Sequence, residues 1–250
     1  MSSRSIAVHG HRGARAVLPE NTLAGLRYAI EAGVDAVELD VLATRDDVLV
    51  TCHDPVLNRG IFSGPGGTRV IREMTLAELC RWRCGGEQIP ALAGMLELAS
   101  AGGVQLDLEL KSFPARPRLA PPPERFAALL ASAIGRRAGP DILALSFDFR
   151  VLAALQRQTP RVRCGALYQF GARPFTAVAR EAGTSVVAPY HRLITRRRVE
   201  AAHREGIEIV AWTANRPRDW ERLARAGVDA IISDDPAGLL AWLRARGLHE

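Results

Sequence analysis

Seven side chains in this 250-residue chain have types and spacing suited to chemistry: His11, Arg12, Glu38, Asp40, His53, Glu109 and Lys111. The stretch "VHGHRGARAVLPENT" (8–22) ends a short apolar run in two histidines, an arginine and a glycine. In "AVELD" (36–40), Glu38 and Asp40 alternate with Val37 and Leu39. In "VQLDLELK" (104–111), Gln105, Asp107, Glu109 and Lys111 alternate with Val104, Leu106, Leu108 and Leu110. On a strand, residues two apart share a face, about 6.6 Å from one another. Two carboxylates so placed can reach one ion. Glu38, Asp40 and Glu109 together repel and raise one another's pKa unless a cation sits among them. An all-oxygen set without cysteine suits a hard divalent ion, Ca²⁺ or Mg²⁺, better than zinc. An arginine-satisfied ion network is the competing structural reading. His11 and His53 are each more often structural when taken alone. As a pair beside an oxygen-ligated metal they are what phosphodiester hydrolysis would use, one imidazole as base and one as acid. Arg12 and Lys111 would then hold the phosphate oxygens.

These groups need elements to bring them together. Strand-like runs fall near 5–10, 36–41, 104–110, 141–146, 162–168, 185–189, 207–212 and 229–232. Helical stretches fall near 21–32, 91–101, 124–137, 148–157, 174–182, 195–204, 216–226 and 235–246. Strict alternation with short joints predicts an α/β protein, a (β/α)8 TIM barrel, with chemistry at the carboxyl ends of the strands. A doubly wound open sheet is the second choice. The joints repeat: "EAGVDAVELD" (31–40) and "RAGVDAIISD" (225–234) share Ala-Gly-Val-Asp-Ala. The segment 42–90 is too long for one joint and is expected to form a small capping insertion after the second strand, with a hairpin ("DVLVTCHD") and a short helix ("TLAELCRW"). The whole chain reads as one domain. In a buried parallel sheet, strands normally read as continuous apolar runs. Three strands here break that rule on one face.

Composition narrows the partners. The net charge is +6, but the basic residues interleave with acidic ones along helices, so no nucleic acid is expected; the excess suits an anionic small substrate. No apolar run approaches the roughly 18 residues of a membrane span. No secretory h-region stands at the N-terminus, and four unpaired-looking cysteines fit a reducing, cytoplasmic setting. A homo-oligomer is compatible with the sequence. Of 33 basic residues, Lys111 is the single lysine, which marks a position needing a compact ammonium.

Taken together, the motifs resemble the glycerophosphodiester phosphodiesterase family over essentially the whole chain. "HRGARAVLPENT" (11–22), "ELDV" (38–41), "HD" (53–54), "LELK" (108–111), "SFD" (146–148), "AWTAN" (211–215) and "ISDDP" (232–236) occur in family order. The resemblance implies a TIM barrel, His11 and His53 as acid–base pair, Glu38, Asp40 and Glu109 as metal ligands, and Arg12 and Lys111 as phosphate contacts. It implies hydrolysis of a small-molecule glycerophosphodiester to glycerol 3-phosphate and an alcohol. Glu20 reads as a supporting residue, Asn21 as a helix N-cap, and His9 as a supporting or structural group. Departures at "GIFSGPGGTR", "IPALAGML" and the proline-rich "FPARPRLAPPPER" leave the alcohol open. Phe147, Trp212, Phe113 and Tyr168 are candidate pocket linings. Two alternatives stand beside this reading: a lysophospholipase D-like phosphodiesterase and a Schiff-base aldolase built on Lys111.

Overall fold

The computed structural model describes residues 5–58, 60–135, 139 and 141–250. Among them, eight parallel strands close into a barrel: β1 (Ala7–His11), β2 (Ala36–Ala43), β3 (Gln105–Leu110), β4 (Ile142–Ser146), β5 (Arg163–Tyr168), β6 (Val186–Pro189), β7 (Glu208–Ala211) and β8 (Ala230–Ser233). Closure comes from β1, which pairs with β8 through Ala7↔Ala230 and with β2 through His9↔Ala36. Every strand expected from the sequence is present within one or two residues. The alternating helices are α1 (Leu23–Ala32), α2 (Leu92–Gly102), α3 (Pro123–Ile134), α4 (Phe149–Gln158), α5 (Phe175–Ala182), α6 (Arg196–Arg204), α7 (Pro217–Ala226) and α8 (Pro236–Arg244). The sequence carries α3 to 137, but the helix ends at Ile134, where Gly135 takes a φ of 64°; 136 and 137 lie outside the described residues.

The repeated Ala-Gly-Val-Asp-Ala now has a physical reason. Gly33 and Gly227 end α1 and α7 with φ of 81°, the left-handed backbone that favours glycine. The aspartate two residues later reaches the neighbouring strand: Asp35 accepts from the Val8 N–H and Asp229 from the Ile209 N–H, each at 2.7 Å. One five-residue phrase thus stops a helix and locks the next strand to its neighbour at the barrel floor.

Between β2 and α2 lies the insertion. Its hairpin is built by the end of β2 itself, with Val41↔Thr51 pairing antiparallel, rather than within 47–54 as the sequence suggested. The short helix forms over Leu76–Leu79, closed by a reciprocal Thr75/Glu78 capping box. Leu42, Val50, Leu57, Phe62, Ile71, Leu79 and Trp82 pack a second apolar core beneath it. The main core lies between the outer face of the barrel and the helices.

Candidate active site

The turn after β1 sets the site. Gly13 has φ of 91°, and a Cβ there would meet the Gly25 backbone carbon at 2.8 Å, so α1 can approach only a glycine. Arg12 and Asn21 also hold left-handed backbones, φ 51° and 58°. Conformations that side chains rarely adopt persist where surrounding bonds over-determine them. Here the Arg12 N–H donates to Glu38 Oε2 at 3.1 Å, and the Asn21 N–H donates to the Arg12 carbonyl.

Parity carries the rest. Glu38 and Asp40 on β2 and Glu109 on β3 point into the barrel, and one carboxylate oxygen from each lies within 4.8 Å of the others. Burial first, then Asp40 and Glu109, push the Glu38 carboxyl well above its usual value. Burial likewise carries Glu109 up to about 7, against the pull of Lys111. Burial would raise Asp40 too, but Lys111 and Arg12 outweigh it and hold this carboxylate well below the usual range. The Lys111 Nζ stands 3.2 Å from both Asp40 Oδ1 and Glu109 Oε1, and Arg12 Nε stands 3.1 Å from Asp40 Oδ2.

This set fits a divalent ion. Asp40 Oδ1 is buried, and its near partner among the described residues is the Lys111 ammonium at 3.2 Å, which it shares with Glu109 and which completes no well-aligned hydrogen bond to it, so this carboxylate oxygen keeps lone pairs to offer a cation. Three carboxylates face two cations; a divalent ion would turn that excess negative charge into one positive, which a single phosphodiester would neutralise. Asn21 completes the frame around Asp40: its amide donates to Asp40 Oδ2, and its carbonyl accepts from the Asp40 N–H, both at 2.9 Å. The expectation that Asn21 caps α1 is therefore corrected. Thr22 is the cap, its hydroxyl accepting from the Gly25 N–H, which frees the Asn21 amide for the carboxylate.

Both histidines are tethered at Nδ1. Asp234, at the end of β8, lies 2.5 Å from His11 Nδ1, while Asn215 donates to the other Asp234 oxygen at 2.7 Å. Asp54 lies 2.7 Å from His53 Nδ1. Each ring thereby keeps Nε2 for another partner, the arrangement an acid or base requires. Burial lowers the His53 pKa despite the raising pull of Asp40, favouring the neutral ring. Each Glu20 carboxylate oxygen accepts from Arg12 Nη1 at 3.0 Å, and Oε2 also accepts from Arg15 Nε at 2.6 Å. His9 lies deeper in the lumen, 2.6 Å from Asp107.

A cavity of about 270 Å³ at the carboxyl ends of the strands is lined by His11, Arg12, Glu38, His53, Glu109 and Lys111, together with Phe147 and Trp212. Six of the seven polar positions that the sequence marks for chemistry thus line one space, and the seventh, the Asp40 carboxylate, lies buried beneath it. The other two aromatics are corrected. Tyr168 points outward and packs edge-on against Phe175, and Phe113 packs on the insertion core. Asp234, Asn215 and Asp54 are functional residues that the sequence reading misses; each sits inside a quoted motif in the segment that follows a strand end, one residue past β8 for Asp234 and four past β7 for Asn215, and that placement is the available signal.

A sequence model of the glycerophosphoryl diester phosphodiesterase family matches residues 11–238. A glycerophosphodiester phosphodiesterase of Caldanaerobacter subterraneus subsp. tengcongensis is 31% identical over 96% of this chain and 98% of its own length. A crystal structure from Silicibacter pomeroyi superposes with a TM-score of 0.90 at 31% identity, covering 98% of this chain and 95% of the other. An Oleispira antarctica phosphodiesterase, solved in complex with the product sn-glycerol-3-phosphate, gives 0.85 at 25% identity over 95% and 96%.

Proposed function

The chain belongs to the glycerophosphoryl diester phosphodiesterase family and is a phosphoric diester hydrolase, and we propose that it cleaves a glycerophosphodiester such as glycerophosphocholine or glycerophosphoethanolamine to glycerol 3-phosphate and an alcohol. The observation that carries this reading is the convergence of two carboxylate-tethered imidazoles, two cations and the acidic cluster on one cavity. The product seen bound to the Oleispira antarctica relative supports it.

In this reading Arg12 and Lys111 bind the non-bridging oxygens and take up the charge that grows on them. Glu38, Asp40 and Glu109 hold Ca²⁺ or Mg²⁺, which when bound supplies neutralisation and orientation of the phosphate. Of His11 and His53, one accepts the proton of the attacking hydroxyl at Nε2 and the other donates a proton to the leaving alkoxide. Asp234 and Asp54 fix the orientation of each ring through its Nδ1. Glu20 holds the Arg12 guanidinium in register.

The aldolase reading loses support at Lys111. A Schiff-base lysine needs a lowered pKa. Burial would provide that, but Asp40 and Glu109 overcome it and raise the ammonium above its ordinary value. A cavity of about 270 Å³ also favours a headgroup over an acyl chain. The test is hydrolysis of glycerophosphocholine by the purified protein, read by coupled detection of glycerol 3-phosphate. Turnover with Ca²⁺ or Mg²⁺ and its loss in EDTA are expected. No product from any glycerophosphodiester with either metal present would refute the proposal.

A further inference from the structure

The part of the cavity wall that follows β4 to β8 is made by Leu145, Phe147, Leu167, Gln169, Trp212 and Ile232, with Leu145 in register beside Glu109. Its one polar side chain is the neutral amide of Gln169. Trp212 has a single donor, and that N–H is given to the Ala188 carbonyl at 2.7 Å, so the indole offers the cavity only its ring. Phe147 meets Trp212 edge to face, with centroids 5.6 Å apart at 81°. Tyr190 backs the same indole at 5.6 Å. Phe147 is nonetheless 45% exposed at the mouth. The carboxylates among the lining residues are Glu38 on β2 and Glu109 on β3, and β5 to β8 bring none.

Three kinds of leaving alcohol would fare differently here. A polyol brings hydroxyls and a primary ammonium brings three N–H donors, and each donor left without an acceptor against an apolar wall costs free energy. A quaternary ammonium has no donor to satisfy, and its charge is attracted to aromatic rings. The hydroxyl-bearing glycerol meanwhile finds its acceptors on the carboxylate side. We infer that Phe147 and Trp212 select a diester whose leaving group ends in a quaternary ammonium. This rests on the phosphodiesterase reading above and adds the preference to it.

The experiment compares kcat/KM with saturating divalent metal for glycerophosphocholine, glycerophosphoethanolamine, glycerophosphoglycerol and the neutral 3,3-dimethylbutyl ester, which copies the shape of choline without its charge. The choline ester is expected to lead the other three by about tenfold, the scale of one or two cation–π contacts. Phe147→Leu and Trp212→Leu should each shrink that lead to about threefold or less. Phe147 is exposed enough that its replacement tests the idea even if the Trp212 variant folds poorly. Equal or better turnover of the ethanolamine or glycerol ester overturns the inference. So does a neutral ester that matches choline, or a lead that survives Phe147→Leu. Absence of turnover on all four esters overturns the phosphodiesterase reading and this one with it.

Discussion

The inner wall of the barrel divides by strand. From β4 to β8 it presents Leu143, Leu145, Leu167, Val186, Ala188, Val210, Ala230 and Ile232. From β1 to β3 the same inward positions hold His9, His11, Glu38, Asp40, Asp107 and Glu109, all but His11 and Glu109 buried. The backbone is alike on both sides: parallel strands, short joints, helices outside. What differs is the purpose of the inward residues. The apolar side can lower its energy by packing alone, whereas the polar side holds like charges together out of water, which raises the pKa of Glu38 and Glu109. Such an arrangement works against stability, and the remainder of the fold has to offset it.

The contrast breaks most sharply at the histidines. His11→Ala and His53→Ala should each lower kcat by about 10²–10⁴ while leaving the circular dichroism spectrum and the unfolding midpoint close to wild type. If either variant keeps near-wild-type turnover, that ring is not part of the acid–base pair. A smaller effect is expected one step back from the acidic cluster. Asn21→Gly tolerates the positive φ but removes the amide that frames Asp40. Partners of metal ligands typically contribute 10- to 100-fold in metal affinity, so the metal concentration for half-maximal activity should rise by about that much. Titrating activity with Ca²⁺ or Mg²⁺ in chelator-buffered solution reads it directly, and an unchanged midpoint would remove Asn21 from the site.

Much of this division was legible beforehand because a strand's period of two is visible in one sequence. Alternation in 36–40 and 104–111 gave the inward carboxylates, and strict β/α order gave the end of the barrel at which they act. What stayed hidden depends on distances the sequence does not carry. Asp234 is 223 positions from His11, and only closure of β8 against β1 brings them together. Asn21 and Thr22 are adjacent and both suit an N-cap, so the choice between them rests on Asp40 lying above the turn. Tyr168 and Trp212 both follow apolar strands, yet one points to the helices and the other to the cavity, a difference of one residue in parity.

On the apolar side the expected effect is on stability and not on chemistry. Leu143 is 1% exposed and does not line the cavity. Leu143→Ala should lower unfolding stability by about 2–5 kcal/mol, transfer and cavity terms together. Activity per folded molecule should persist at temperatures below the new midpoint. Denaturant melts paired with kcat on the same preparation test this. A loss of kcat in fully folded variant would mean that the two walls are not separable.

The finest test lies where the polar wall ceases to be chemical. His9 and Asp107 sit below the cavity and do not line it, and Gln105 donates to the second Asp107 oxygen at 2.7 Å. Burial would lower the His9 pKa, but the charge and hydrogen bond of Asp107 outweigh it, and the value rises above 6.5. A histidine whose folded pKa is raised adds stability that is fully present below its unfolded value, about 6.5, and is lost as pH climbs through the folded one. His9→Gln keeps a donor for Asp107 but cannot titrate. The stability advantage of wild type over this variant should therefore be greatest in mildly acidic solution and shrink toward alkaline pH, with kcat little changed. Urea unfolding of both proteins across that range measures the difference. A gap independent of pH would mean that His9 stays neutral in the fold, and that the polar wall carries its charge only at the mouth.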